Sequence, residues 1–567
     1  MFIKVTQSGG RRYAQLVESF RNEAGQPRQR TVCTLGRLDV GGDVDKLVAG
    51  LQRAQGRAPS SSSLQGLRFL GSRQAGDVWA LAQLWKQLEL DELAGAWRRS
   101  KTEVDVLGCL RAMVWNRLSD AGSKLGVLRW LDTVALPTEF TFGQAPQHQH
   151  LLRAMDVIDE HADALGERLS MLLRPLVDQD LSVVFYDLTT VSVAGESELP
   201  GDVRAHGMGK SGKVERQFML SLVQTADGLP IAHEVHPGNT AEARTLLPTI
   251  QRLLARYALK RVVLIADRGL LSLDNLKELS ALGEALRAEG RDVDVQYILA
   301  VPAARYGEFA DDLRRLSAEQ DSATSWTAQL PWQQQRLVVA HDPEAAARRR
   351  HRREDTLAEL VALGQRWGGT LDAQHAGHRR RGRPLSDSGA TARFYHAVKD
   401  ANMAHVVKVD LHGELFNYEI DEARKKYLEL LDGKLLLVTN TDAPADEVVQ
   451  RYKSLADIER GFRALKSDIE IGPVYHRLPQ RIRAHALICF IALILYRVLR
   501  MRLRAAGREG SPTHWLEQLR AIHQQTVQSV EGETAHGLTE ITPAQKALFA
   551  DLSLPTPAPT DLPAPLL

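Results

Sequence analysis

The chain has 567 residues, 44% of them hydrophobic and 25% charged, a balance that belongs to globular proteins and excludes a disordered or fibrous one. This length is too great for a single core and points to roughly three or four domains. The net charge is only +2, so a nucleic-acid partner has to be argued from local patches, not from the total.

Residues 1–70 open with alternating runs ("FIKVTQ", "YAQLVESF", "RQRTVCTLG") separated by the turn-prone "SGG" and "NEAGQP", which predicts a small β meander. No apolar signal core stands at the N-terminus, and no apolar stretch reaches the roughly 20 residues a membrane span requires. Cys33, Cys109 and Cys489 are far apart, without zinc or disulfide spacing, so a reducing cytoplasm is expected. Residues 71–178 change to helical periodicity, as in "RAMDVIDEHADALGERLSMLLRPL", and are expected to form an all-α, DNA-binding domain. Within it, "VWNRLSDAGSKLGVLRWL" reads as helix, Gly-containing turn and helix, and with Arg111, Arg117, Lys124 and Arg129 it is compatible with a helix-turn-helix.

From residue 179 the runs "LSVVFYDLTTVSV", "QFMLSLVQTADGLPIAHEV" and "RVVLIADRGLL" are strands, with a helix between them, so 179–305 begins a mixed α/β sheet. The stretch 306–432 is too long for a loop and is expected to be an inserted domain, after which "GKLLLVTNTD" returns the chain to the sheet across 433–505. The insertion carries charge that the total conceals: residues 345–384 hold ten arginines against four acids, a local net of +6. "ALICFIALILY" predicts a buried helix, and 506–567 a helical segment with a disordered Pro-rich tail, "LSLPTPAPTDLPAPLL". Trp115, Trp130, Trp326, Trp332 and Trp367 are read as core residues, and the "HQH" and "HAGH" histidines as surface residues, since neither has companion ligands at zinc spacing.

Asp187 interrupts one apolar strand and Asp267 closes another, positions where an ionised carboxylate needs a partner, a cap or a metal. Each also has a plain structural explanation: Asp187 could bond Thr189 or Thr190, and Asp267 could cap the following turn. In "YKSLADIERGFRALKSDIE" (452–470), Tyr452, Glu459 and Lys466 recur every seven residues beside the apolar stripe Leu455, Ile458, Phe462, Leu465 and Ile469, with Arg463 one turn from the glutamate. Glu459 and Arg463 could equally be a surface pair worth about 0.2 to 0.5 kcal/mol. Taken together, two strand aspartates and a helical glutamate supply the oxygen ligands of a two-ion phosphoryl-transfer site, Mg²⁺ or Mn²⁺, with Lys466 and Arg463 binding flanking phosphates and Tyr452 stacking or hydrogen-bonding nearby.

The run Tyr452, Leu455, Glu459, Lys466 resembles the Tyr-Arg-Glu-Lys signature of bacterial insertion-sequence DDE transposases of a long-chain subgroup. "YDLTTVSV" and "ADRGLLS" resemble that family's two aspartate strands, "HGMGKSGKVERQ" and "GLPIAHEVHPGNTAE" its linking segments, and "VYHR" and "RIRAHALICFIAL" its C-terminal half. The signature arginine is Leu455 here, and its phosphate role passes to Arg463. The resemblance implies a ribonuclease H-like fold in which Asp187, Asp267 and Glu459 are catalytic and bind metal. It further implies a homodimer on double-stranded DNA (terminal inverted repeats and target), active in the cytoplasm at the nucleoid, that cleaves the element's ends and joins the 3′ ends to target. Lys210, Lys213 and Arg268, with Arg348, Arg349 and Arg352 of the insertion, are expected to touch DNA; a solvated loop and an exposed helix face are the plain alternatives for the two groups. An inactive DNA-binding derivative, or a ribonuclease H-like nuclease without strand transfer, would share most of these features.

Overall fold

The computed structural model describes all residues except 9–10, 23–25, 39–66, 178–181, 196–198, 200, 210–213, 242–243, 258, 267–272, 292, 334, 379–383, 455, 530–531 and 564–567. Side chains at 8, 11, 36–37, 182–183, 273–276, 280 and 456–461 also lie outside the description. The chain divides into two compact units, one made of Met1–Asp91, Lys101–Ala154 and Leu499–Leu567, the other of Glu92–Ser100 and Met155–Val498.

In the first unit, β1 (Phe2–Ser8), β2 (Arg11–Arg21) and β3 (Pro27–Arg37) form the expected antiparallel meander. A further strand, β4 (Arg68–Gln74), pairs instead with the C-terminal hairpin His523–Gln528 and Thr534–Leu538. The helices α1 (Gly76–Gln87), α2 (Val106–Ser119) and α3 (Lys124–Leu131) surround an aromatic core in which Trp115 meets Trp85 and Phe140 edge to face at 6.1 and 5.4 Å. Asp105 and Ser123 start α2 and α3 by accepting hydrogen bonds from the Gly108 and Gly126 N–H groups at 2.8 and 3.1 Å. Both helices of the expected helix-turn-helix are therefore present, yet their cations point elsewhere. Arg117 and Lys124 are buried, Arg111 reaches Asp91 at 3.5 Å and lies 4.7 Å from the Phe140 ring, and of the four only Arg129 is exposed. Fully buried Asp77 is compensated by Ser119 Oγ at 2.6 Å and Arg520 Nε at 2.9 Å.

The second unit is built on a nine-stranded mixed sheet whose strands are β5 (Ser182–Ser192), β6 (Ala205–Met208), β7 (Val214–Thr225), β8 (Pro230–Pro237), β9 (Arg261–Ala266), β10 (Asp294–Ala300), β11 (Trp326–Trp332), β12 (Gln335–His341) and β15 (Lys434–Thr439). Its order is β11-β12-β15-β10-β9-β5-β7-β6, with β8 also paired to β7. At the centre β10, β9 and β5 run parallel, while β15 and β7 flank them antiparallel. Parallel strands are covered on both faces and so read as continuous apolar runs: Val262 to Ala266 and Tyr297 to Ala300 are all 0% exposed. The same unit contains the second half of α4 (His148–Glu160), from Met155 on, with α5 (Ala162–Leu173), α6 (Leu246–Arg256), α7 (Leu273–Ala288) and α8 (Ala310–Glu319).

The stretch expected as an insertion from 306 to 432 does not behave as one body. Its hairpin β11–β12 joins the main sheet, pairing Val338 with Leu437 of β15, because the apolar run Leu337 to Ala340 is buried there. A separate core forms only further on, from α9 (Pro343–His375), α10 (Asp387–Asp400), β13 (Val407–Val409), β14 (Tyr418–Ile420) and α11 (Glu422–Leu431), around Leu357, Phe394, Val398 and Val406. Trp367 packs edge to face on Phe394 within it. The chain then continues through β15 into α12 (Ala445–Lys453), α13 (Ala456–Ser467) and α14 (Pro479–Ala505). By length and composition α14 is apolar enough to cross a membrane, but its apolar window is 94% buried inside the molecule, as the core-helix reading expects.

The Pro-rich tail is not a loose end, contrary to expectation. Leu552, Leu554 and Leu562 are buried, and the Pro555 carbonyl accepts a 2.7 Å hydrogen bond from Trp79 Nε1. Proline lacks N–H donors, so this segment docks through side chains and carbonyls instead of a ladder. Truncation after Asp551 should cost roughly 4.5 to 9 kcal/mol, at about 1.5 to 3 kcal/mol for each of the three buried leucines, and lower the urea midpoint. An unchanged midpoint would show that the docked tail contributes nothing to stability.

Candidate active site

The parallel register fixes where the two aspartate segments stand. β5 and β9 pair from Ser182↔Val262 to Tyr186↔Ala266, so their last matched residues immediately precede positions 187 and 267. Asp187 is half-buried, faces Leu222 of β7 across the antiparallel pairing, and accepts the Leu188 N–H at 2.7 Å. Asp267 and Arg268 lie outside the described residues. Below Asp187, Tyr186 is fully buried and donates to Thr245 Oγ1 at 2.6 Å; burial pushes its hydroxyl up to about 12, so it is a fixed packing group.

The stripe expected along one helix from Tyr452 to Lys466 is divided. α12 ends with Ser454 as its C-cap and α13 begins at Ala456, so Tyr452 belongs to a different helix from Lys466. Tyr452, half-buried, packs with Val448 and Val449 against a core of Phe185, Val263 and Ile265. On α13, Phe462, Leu465 and, just beyond, Ile469 are buried as the apolar stripe predicts, whereas Arg463 and Lys466 are exposed. The Glu459 backbone is part of α13; its side chain, like Leu455, is outside the described residues.

α13 packs on β5, and its C-terminal end meets the far end of that strand. There Thr190, Val191 and Ser192 line a cleft of ≈ 360 Å³ together with Lys466, Ile471, Gly472 and Pro473. The segment after the helix is tied to β5: Val474 N–H donates to the Ser192 carbonyl at 3.0 Å and Ala194 N–H to the Val474 carbonyl at 2.8 Å. A Cβ at position 472 would come within 2.9 Å of Val191 Cγ1, which is why glycine stands at this approach. His485, buried on α14, contacts the Ile471 carbonyl at 2.9 Å and is a packing residue. The sequence reading missed the Thr190, Ser192 and Gly472 walls; the hydroxyl-rich "DLTTVS" following an apolar strand was the available signal.

The remaining candidates separate by burial. Lys210 and Lys213 lie outside the described residues. Arg348, Arg349 and Arg352 are exposed near the start of α9, Arg348 alongside Glu344 at 3.3 Å. Their neighbour Arg353 turns inward and forks onto Asp432, so the arginine count overstates the exposed charge. Among the described residues no group of three or more His, Cys, Asp and Glu side chains is arranged to hold a metal.

Before β6, Asp202 binds buried Arg204 in a fork at 2.8 and 2.7 Å and lies 3.5 Å from Arg216 of β7. Burial alone would raise the Asp202 pKa, but the Arg204 hydrogen bonds outweigh it and hold the carboxyl below its ordinary value. A depressed folded-state pKa gives stability that is present above the unfolded value of about 3.9 and lost as pH falls through the folded one. Wild type should therefore lose stability more steeply than Asp202→Asn below about pH 4 in urea titrations; parallel acid limbs would remove Asp202 from that account.

Residues 178–495 match the model of the transposase DDE domain, and residues 3–63 match that of the N-terminal domain of IS1634 family transposases. No curated protein matches the chain. The DDE match covers more than half of the chain and contains the whole of the parallel core, the cleft and α13, and with the N-terminal match it makes this protein an insertion-sequence DDE transposase.

Proposed function

We propose that the chain cuts double-stranded DNA at the terminal inverted repeats of its own element and joins the freed 3′ ends to target DNA, with Asp187, Asp267 and Glu459 as its catalytic, metal-holding carboxylates. The observation that carries this reading is the final β5–β9 pair, Tyr186↔Ala266, one residue ahead of each aspartate. Helix geometry supplies the third member. Seven residues separate Glu459 from Lys466, about 10.5 Å along a helix at ~1.5 Å per residue. Three separate Asp187 from Thr190, about 10 Å along a strand at ~3.4 Å per residue. With Lys466 lining the same cleft as Thr190, a helix laid back along β5 would put position 459 level with Asp187.

Carboxylate oxygens are the donors that Mg²⁺ or Mn²⁺ take, and Asp187 stands half-buried directly after an apolar run. A pair of such ions, when bound, polarises the phosphodiester and stabilises both the attacking and leaving oxygens. The chain's own residues orient the substrate: Lys466 and Arg463 hold phosphates beside the scissile bond, and Tyr452 borders them from α12. Arg463 serves in place of the signature arginine, which is Leu455 here. Lys210, Lys213 and Arg268, together with Arg348, Arg349 and Arg352, grip the flanking backbone. A homodimer holding two ends in the cytoplasm, on the nucleoid, completes the reading.

Glu459→Gln should reduce end cleavage by at least about 100-fold while DNA binding persists, since losing even an outer partner of a metal ligand costs about 10- to 100-fold. Incubation of wild type with labelled ends and Mg²⁺ or Mn²⁺ should give joined products; nicks alone would identify a nuclease, and binding without cutting an inactive derivative. Undiminished cutting by Glu459→Gln would rule out the triad.

A further inference from the structure

Strand alternation places Phe185, Asp187, Thr189 and Val191 on one face of β5, whose pairing with β7 runs without a break from Val184↔Thr225 to Ser192↔Gln217. Phe185 shares a core with Val448 and Val449 of α12, and Val191 meets the Gly472 approach after α13. Asp187 and Thr189 stand between these two contacts. Thr189 is 1% exposed, yet its Oγ1 has no hydrogen-bond partner, so the Asp187 to Thr189 bond that the sequence allows is not made. The hydroxyls around Tyr186, on the other face, are engaged: Thr245 Oγ1 accepts from Tyr186 at 2.6 Å, Thr249 Oγ1 donates to the Thr245 carbonyl at 2.9 Å, and Ser221 Oγ contacts His236 Nε2 at 3.0 Å. A buried hydroxyl without a partner costs stability that a methyl group in its place does not. Such an atom in a fold that satisfies its neighbours calls for a role, and its place beside Asp187 supplies one.

We infer that Thr189 is a positioning residue for the proposed catalytic centre: its hydroxyl donates to the Asp187 carboxylate and fixes the orientation in which that carboxylate meets a divalent cation. The inference rests on the reading of Asp187 as a metal-holding carboxylate. An ionised carboxylate only accepts, so the hydroxyl is the donor. Asp187 Oδ1 takes the Leu188 N–H at 2.7 Å, and a carboxylate offers about four lone-pair sites, which leaves others for the hydroxyl and for a cation. Two residues span about 6.8 Å along a strand at ~3.4 Å per residue, and both side chains project from one face, so hydroxyl and carboxylate meet when each leans toward the other. A group that orients a metal ligand in this way is typically worth about 10- to 100-fold in metal affinity.

The test titrates the full chain with Mn²⁺ in the absence of DNA, following the unbound ion by electron paramagnetic resonance. Thr189→Val should weaken Mn²⁺ binding by about 10- to 100-fold, whereas Thr189→Ser, which keeps the donor, should bind like wild type. The urea midpoint of Thr189→Val should be no lower than that of wild type, because the substitution removes an unpaired hydroxyl and keeps the branched shape of the side chain. Weaker ion binding by an equally firm fold is a combination that a packing residue does not produce. Equal Mn²⁺ affinity in wild type and Thr189→Val, with Asp187→Asn weakened, would overturn the inference alone, as would a loss in Thr189→Ser matching that in Thr189→Val. A lower midpoint for Thr189→Val would also overturn it, by showing that the fold itself needs the hydroxyl. Equal affinity in wild type and Asp187→Asn would instead overturn the catalytic reading on which the inference rests.

Discussion

The parallel alignment of β10, β9 and β5 is the constraint on which the second unit depends. Three strands buried on both faces cannot leave a backbone group unpaired or a charge uncompensated along their length, so polar chemistry is displaced to their ends. Because the strands are parallel, their carboxyl ends share one edge of the sheet, the edge at which open α/β sheets ordinarily bind ligands. The antiparallel neighbours β15 and β7 and the covering helices serve that arrangement. α12 inserts Val448, Val449 and Tyr452 over one face, and α13 closes on β5, its following segment fastened by hydrogen bonds to Ser192 and Ala194.

A second theme is how many cations in this DNA-directed protein are spent on its own architecture. Arg353 forks onto Asp432, Arg204 onto Asp202, and Arg481 and Arg483 onto Asp156 and Asp159, each at 2.8 Å by one nitrogen, where α14 begins. The planar guanidinium suits such sites because it matches a carboxylate with two parallel bonds. Removing one partner of a buried fork leaves a charge stranded, whereas replacing both by apolar groups is often neutral, so these pairs are better understood as fixing geometry than as adding stability. Local charge counts therefore overestimate what faces solvent: in the arginine-rich segment of α9, four exposed residues, Arg348, Arg349, Arg350 and Arg352, precede an inward one.

Much of the fold was legible because its signals are local. The meander follows from alternation and turn residues, the central strands from β-branched apolar runs, and α14 from "ALICFIALILY". Tertiary choices were not. Helical periodicity passes unbroken through "YKSLADIERG", which has neither proline nor a glycine at the break, so nothing in the spacing marks Ser454 as a cap. The β11–β12 hairpin has the pattern of any half-buried pair, and only its pairing with β15 decides that it completes the main sheet. Composition also misled at the tail, where prolines suggest disorder while Leu552, Leu554 and Leu562 supply what docks it.

Of the candidate site, the strand position of Asp187 was legible for the same reason. An aspartate that interrupts or closes an apolar strand is conspicuous because its charge is costly there, so the strand pattern alone singles out Asp187 and Asp267. What the residues cannot announce is register, since a slip of one residue would turn every side chain to the opposite face. The Tyr186↔Ala266 pairing removes that freedom for β5 and β9, and the glycine at 472 removes it for the segment after α13 by permitting an approach to Val191 that any Cβ would block. Alignment along this sheet thus rests on ordinary residues, and Asp187 inherits its position one residue past the last β5–β9 pair from them.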